Sequence, residues 1–128
     1  SVAFGLGIDF LTQRDRALFG VWAICEPESI ESVREAIRAQ LSRLARELVP
    51  PAEFAAAKRL LVAGFAFANE TPADRAATLG FYEAIDSYRA ASYYLPWVSA
   101  TRPQAVAEVA AWYSGEPIWI ILRPEVGQ

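Results

Sequence analysis

Few side chains in this 128-residue chain could carry out acid–base, metal or nucleophilic chemistry. The sequence has no histidine and a single cysteine, Cys25. It therefore cannot form a Ser-His-Asp triad, a zinc site of histidine and cysteine ligands, or an acid–base pair that uses imidazole. One cysteine also excludes an internal disulfide. Because no histidine can activate its thiol, Cys25 is interpreted as a small buried hydrophobic residue.

The remaining candidates for acid–base chemistry are two pairs of carboxylates, Asp9 with Asp15 and Glu26 with Glu28. Asp15 lies in a predicted turn, and Glu26 and Glu28 stand beside a predicted helix start, where acidic residues are common for structural reasons. A glycine-rich phosphate loop is not predicted, because the only closely spaced glycines lie inside a strand. We therefore predict no catalytic residue, no metal ligand and no cofactor in this chain.

Composition places the chain among globular domains. Apolar residues make up 54% of it and charged residues 21%, which is enough to bury a core and favours a single domain over residues 1–128. The net charge of −3 and the scattered basic residues argue against a nucleic-acid or anionic-membrane partner. We find no signal peptide or transmembrane segment, and the compartment is not predicted. Because methionine is absent, we expect a processed product or a piece of something longer.

Two strands are predicted at the start of the chain. Apolar residues alternate from Val2 to Phe10, the period of a half-buried strand. On the opposite face Ser1, Ala3, Gly5 and Gly7 are all small, so this face either borders a cavity or is covered by bulky neighbours from another sheet or chain. The apolar run from Ala17 to Cys25 predicts a second strand, buried on both faces and paired antiparallel with the first.

Helical patterns follow. A long helix is predicted from Ser29, as N-cap, to the break at Pro50-Pro51. The next helix, from Pro51 to about Asn69, is predicted to be buried in the core, with another element packed closely over Gly64. A third helix is predicted from Thr71, as N-cap, to about Asp86.

The last third of the chain predicts shorter elements. Ser87 can cap a short helix that Pro96 disturbs at its end. Thr101 and Gln104 have capping-box spacing, and Ser114-Gly115 closes the helix that they open. The apolar run Ile118–Leu122 predicts a central strand. The predicted class is α+β, an antiparallel sheet packed by helices, in the order strand, strand, four helical segments and strand, when the short helix after Ser87 is left out of the count.

Four aromatic residues cluster in the sequence between the third helix and the capping box. They are Tyr88, Tyr93, Tyr94 and Trp97. Tyrosine and tryptophan suit a half-buried seam between helices or a protein interface, and this interpretation is preferred to a platform for carbohydrate or peptide.

Several stretches in this order resemble the pitrilysin/insulinase family, the inverzincin metallopeptidases that include the mitochondrial processing peptidases. Residues 18–23 followed by 27–33 are similar to the passage from a strand into the family's long helix. Glu53, Ala57-Lys58 and Leu61 resemble the opening of the family's second helix, and Glu70, Arg75-Ala76 and Leu79-Gly80 resemble its next helix. The end of the family's domain is resembled by Val98–Thr101, by Val106, Val109, Ala110 and Tyr113, and by the strand that ends at Pro124. The resemblance covers nearly the whole chain.

The resemblance implies the C-terminal part of a non-catalytic domain in a clam-shaped zinc peptidase. The family's metal is held by an H-x-x-E-H helix and a downstream glutamate in another domain, so zinc is expected in the partner half and not here. The companion domain's arginine and tyrosine that approach substrate have no counterpart in this chain. The small face of the first strand, Ala3, Gly5 and Gly7, then becomes the candidate wall of the peptide cleft. On this hypothesis Gly5→Val impairs cleavage more than folding.

The expected partners are the metal-bearing half, on the same or a neighbouring protein, and a peptide substrate. Two other functions stay open at this point. One is an inactive scaffold or assembly domain of the same ancestry. The other is an unrelated α+β domain that dimerises to bind a small ligand. Open sheet edges would tend to pair, so a homo-oligomer is also possible.

Overall fold

The computed structural model describes residues 3–15 and 17–123. Two strands precede a short 3₁₀ turn at Pro27–Ser29 and five helices. The elements are β1 (Gly5–Phe10), β2 (Phe19–Ile24), α1 (Ile30–Arg46), α2 (Pro51–Phe67), α3 (Pro72–Ile85), α4 (Ala90–Ala100) and α5 (Pro103–Trp112). The α+β class and its antiparallel sheet are confirmed, but the predicted order is not.

The sheet is a single antiparallel hairpin of β1 and β2. Its register pairs Gly5 with Ile24, Gly7 with Trp22 and Phe10 with Phe19. Because side chains alternate across a strand, Gly5 and Gly7 share one face with Trp22 and Ile24. The large apolar residues of β1 occupy the opposite face.

The helices form two packed groups. Helix α1 packs on α5, with Val33 and Ala110 buried between them, and α4 packs on α2 and α3. The Phe19 and Tyr113 rings, 5.0 Å apart between centroids, join β2 to the end of α5. The hairpin loop reaches the second group through Arg14, whose Nε donates to the Ile85 carbonyl oxygen over 3.3 Å.

Most helix starts were predicted correctly from capping residues and prolines in the sequence. Thr71 caps α3 in a complete capping box with Asp74, and Pro51 opens α2. Ser29 is the N-cap of α1, although its side chain makes no capping hydrogen bond. The capping box predicted for Thr101 and Gln104 is wrong. Helix α5 starts one residue later than that box requires, and the Thr101 hydroxyl donates backwards to the Trp97 carbonyl oxygen over 2.8 Å.

Two elements differ from the predicted order. The segment after Ser87 forms a full helix, α4, which continues through Pro96 to Ala100. Buried side chains before and after the proline, Ala91 and Val98, give this helix packing that offsets the lost hydrogen bond. The central strand predicted at Ile118–Leu122 is absent among the described residues. A strand exists only with a hydrogen-bonded neighbour, and neither β1 nor β2 pairs with this segment.

Burial is also less than the apolar patterns predict. Only five residues of the described chain are buried hydrophobics, namely Val33, Ala90, Ala91, Val98 and Ala110. The apolar face of β1 and the Trp22–Ile24 face of β2 remain largely open, and the other face of β2 is only partly buried, because no second layer covers the hairpin among the described residues. The prediction that β2 is buried on both faces is therefore wrong for the described residues. Helix α2 buries none of its residues, and no atom would lie within 4 Å of a Cβ on Gly64. The predictions of a core helix and of close packing over Gly64 are therefore wrong for the described residues.

Candidate functional site on the small face of the hairpin

The proposed wall residues lie at the start of the hairpin. Gly5 and Gly7 are in β1 and Ala3 precedes it, and all three are partly buried. The structure brings them together because alternate residues of one strand project to the same side. What lies over them comes from β2 and not from a separate layer.

Trp22 covers Gly7. The two residues are direct cross-strand partners, and a Cβ on Gly7 would collide with the indole atoms Cε2, Cζ2 and Nε1. Glycine is therefore required here by close approach of a side chain, a common reason for glycine inside a strand. The sequence left open a cavity or bulky neighbours from another sheet or chain, but the residue that covers Gly7 belongs to the same hairpin.

Gly5 has more room than Gly7. A Cβ at this position would lie 3.5 Å from Ile24 Cδ1 and from Trp22 Cζ3, which is ordinary van der Waals contact. The two side chains that lie over the glycines are themselves accessible, with Trp22 47% and Ile24 59% exposed. The surface that a ligand would meet on this face is therefore an indole and an isoleucine, with the glycine backbone beneath them.

Trp22 is the residue that sequence reasoning missed. The antiparallel register places Trp22 opposite Gly7, so aligning the two predicted strands around their loop would have found it. Glycine opposite an aromatic residue is a recurring way to stabilise a strand that contains glycine.

The donor set of the chain does not fit a zinc site. The sequence has no histidine, and the described residues contain no group of three or more cysteine, aspartate or glutamate side chains placed to hold a metal ion. The carboxylates of Asp9, Asp15, Glu26 and Glu28 are all on exposed residues. Zinc binding proteins use nitrogen, sulfur or carboxylate ligands converging on one point, and no such convergence is present in the part that the structure describes.

The single thiol lies just after the hairpin. Cys25 is a free cysteine of intermediate exposure, directly following β2. It is therefore less buried than predicted, since β2 has one open face.

The aromatic cluster divides into two parts. Tyr94 turns inward and stacks on Phe65 of α2, with 4.7 Å between ring centroids, as a helix seam requires. Tyr93 and Trp97 stack on each other at 5.9 Å and are both exposed, as is Tyr88. The four residues therefore form no single platform.

A shallow groove lies beside this seam, between α2, α3 and α4. Its volume is about 480 Å³, and no charged residue lines it. Tyr82 lies on its wall, and partial burial, with a smaller electrostatic contribution from Tyr94, raises the pKa of the Tyr82 phenol above its usual value. The groove keeps this hydroxyl protonated as a hydrogen-bond donor over a wider pH range.

Comparison with known proteins finds a family that resembles the first part of the chain. Residues 1–61, which contain β1, β2, α1 and the first part of α2, match a family of non-catalytic peptidase domains. The family is described as the Peptidase M16 inactive domain, and M16 is the pitrilysin/insulinase type. The resemblance derived from the sequence is thus confirmed for this half of the chain, whereas its extension over residues 62–128 stays a prediction. No curated protein matches the chain.

Among the residues that the structure describes, no helix is both long and apolar enough to cross a lipid bilayer.

Proposed function

We propose that the chain forms the non-catalytic C-terminal wall of the peptide cleft in a zinc-dependent metalloendopeptidase and packs on the half that carries the metal. The observation that carries the proposal is the match of residues 1–61 to the inactive domain of M16 peptidases. Domains of this kind are typically paired with a catalytic half. A chain without histidine is consistent with a proposal in which the other half of the enzyme binds the metal.

In this proposal the small face of the hairpin faces the peptide cleft. Its contribution is shape and apolar contact: Trp22 and Ile24 border the bound peptide, and Ala3, Gly5 and Gly7 let these side chains lie close to the strand. Excluding water from a bound peptide strengthens the electrostatic interactions that the metal-bearing half makes with it. Zinc, in the partner half, would supply the activated water and polarise the scissile carbonyl. Residues 1–128 would form one part of a larger domain.

The experiment that tests this proposal measures zinc-dependent peptidase activity of the parent protein, together with any neighbouring homologue. The protein is assayed with and without the region of residues 1–128, and a chelator control identifies metal-dependent cleavage. The proposal predicts activity only when the region is present. Activity that is equal without the region, or cleavage that the chelator does not affect, would contradict it.

The second candidate is an inactive scaffold or assembly domain of the same ancestry. It is favoured by two exposed apolar side chains of helix α2, those of Leu60 and Phe67. They offer a docking surface that needs no catalytic group. If no combination of parent and homologue cleaves a peptide or binds zinc, this function replaces the first. Partner binding by the full-length protein would then be lost on introducing charge at Leu60.

A further inference from the structure

The indole of Trp22 lies along β1 over two glycines. A Cβ on Gly7 would collide with the indole atoms Cε2, Cζ2 and Nε1, and a Cβ on Gly5 would lie 3.5 Å from the indole Cζ3. The ring therefore reaches across both positions, close above the backbone of β1. It occupies the space that side chains at positions 5 and 7 would take in an ordinary strand.

This face of the hairpin is turned away from the helices of the described chain. Side chains alternate across a strand, so Phe19 and Trp22 lie on opposite faces of β2. Phe19 contacts Tyr113 at the end of α5, with 5.0 Å between ring centroids. The Phe19 face is thus the one that meets a helix. Trp22 is on the other face, and it is 47% exposed among the described residues.

The neighbours of the ring on this face follow from the strand register. Ile24, opposite Gly5, lies at one end, and Asp9, opposite Gly20, lies at the other. Between these ends both strands carry glycine, except at Trp22 itself. Without the indole, this part of the wall would be a depression with a floor of glycine backbone. With the indole, the depression is filled.

A filled depression limits the side chains that a bound peptide can direct at the wall. An extended peptide presents every second side chain to the surface beside it. Over Trp22 a large side chain finds no space in which it can be buried, whereas a small one lets the peptide backbone approach the ring. Apolar subsites distinguish side chains that differ by one methylene group by about tenfold or more in kcat/KM.

We propose that Trp22 is a specificity-determining residue of the cleft wall. Its ring fills the space above Gly5 and Gly7, so the peptides that are cleaved carry glycine, alanine or serine at the residue that faces it. The inference rests on the proposed function, because it requires the small face of the hairpin to border the bound peptide. It adds the class of substrate to that function.

The test compares the peptide preference of the full-length parent protein, together with any neighbouring homologue, with that of its Trp22→Ala variant. The probes are internally quenched peptides in which one position at a time is alanine or 2-naphthylalanine and the other positions are mixtures. We expect the unmodified protein to prefer alanine at one position. At that position the ratio of kcat/KM for naphthylalanine over alanine should rise by roughly tenfold or more in the variant.

Three further variants separate an effect of size from a loss of structure. Trp112→Ala removes an exposed ring at the end of α5 and should leave the ratio unchanged. Gly7→Ala, added to Trp22→Ala, places a methyl group where the ring lay and should return the ratio part of the way. Trp22→Phe should give an intermediate ratio, and it replaces the alanine variant if that variant does not fold. A ratio that is unchanged in the Trp22 variants, or that falls in them, would overturn the proposal.

A photo-cross-link from position 24 distinguishes failure of this inference from failure of the proposed function. A labelled peptide that cross-links there shows that the hairpin borders the substrate, and an unchanged ratio then overturns the selection by size alone. A peptide that is cleaved without cross-linking overturns both, as does a parent protein that cleaves none of the peptides.

Discussion

Trp22 lies across Gly7 on the neighbouring strand, and the indole leaves no room for a Cβ at that glycine. The relationship explains why a strand of this hairpin tolerates glycine at an interior position. It also means that the small face of β1 presents Trp22 to its surroundings.

The first prediction concerns the two glycines of β1. Gly7→Ala should lower the free energy of unfolding by about 1–3 kcal/mol, because the new methyl group forces the Trp22 ring out of its position. Gly5→Ala is the matched control, since its Cβ would make only ordinary contacts. We expect that variant to stay within about 1 kcal/mol of the unmodified chain.

Urea denaturation of both variants measures these changes. Adding Trp22→Ala to Gly7→Ala should remove most of the extra loss, because the clash disappears with the ring. Equal destabilisation by the two glycine substitutions would show that the ring does not set the requirement at Gly7.

A second prediction concerns the start of α3. Thr71→Ala should cost about 1 kcal/mol of stability. The Thr71 hydroxyl accepts from the Asp74 backbone N–H, and the Asp74 carboxylate accepts from the Thr71 backbone N–H. Thr101→Ala is the control at a threonine that is not an N-cap: Thr101 is the C-cap of α4, and its hydroxyl donates to the Trp97 carbonyl oxygen. Thermal unfolding should show a clearly smaller loss for Thr101→Ala, and equal losses would contradict a special contribution of the N-cap at Thr71.

The third prediction is an alkaline loss of stability centred on Tyr82. Burial raises the pKa of this phenol in the folded chain above the value in the unfolded chain. Its contribution to stability is therefore fully present below pH 10.0, the ordinary pKa of tyrosine, and is lost as the pH rises through the folded value.

Tyr82→Phe removes this ionisation. The slope of unfolding free energy against pH above 10.0 should be shallower in the variant than in the unmodified chain. Chemical denaturation at pH 7 and at several alkaline pH values measures the difference. An unchanged alkaline slope would contradict the assignment to Tyr82.

The fourth prediction concerns the attachment of residues 116–119 to α1. Trp119→Leu should lower the free energy of unfolding by about 1 kcal/mol, because its cation–π contacts with Arg34 and Arg38 are lost. Trp112→Leu, at an exposed ring, is the control, and its effect should be smaller. Both are measured by denaturation at one protein concentration. A smaller effect at Trp119 than at Trp112 would show that the stacked guanidinium groups contribute nothing.

The sequence predicted those features that depend on neighbouring residues. The period of α1, the prolines that separate helices and the cap at Thr71 are set within a few positions of the chain, and the structure confirms them. The exception, the box at Thr101, failed because the hydroxyl had another acceptor one turn earlier, the Trp97 carbonyl oxygen.

Features that depend on distant partners were predicted less well. An apolar pattern shows that a side chain favours burial, but it does not identify what covers it. Helix α2 and the segment Ile118–Leu122 both have such patterns, and the described residues leave both largely uncovered. The role of Gly7 was left open for the same reason, because the covering residue, Trp22, is fixed by cross-strand register.

The most direct test of the proposed cleft wall is a photo-cross-link from the hairpin to a bound peptide. In the full-length parent protein, inactivated by a chelator, Ile24 is replaced by a photoreactive phenylalanine derivative, and Leu60 is replaced likewise as control. If the hairpin walls the cleft, a labelled peptide substrate cross-links at position 24, unlabelled peptide competes with it, and position 60 gives no product. A peptide that the untreated enzyme cleaves but that fails to cross-link at position 24, or cross-links equally at both positions, would show that the hairpin does not wall the cleft.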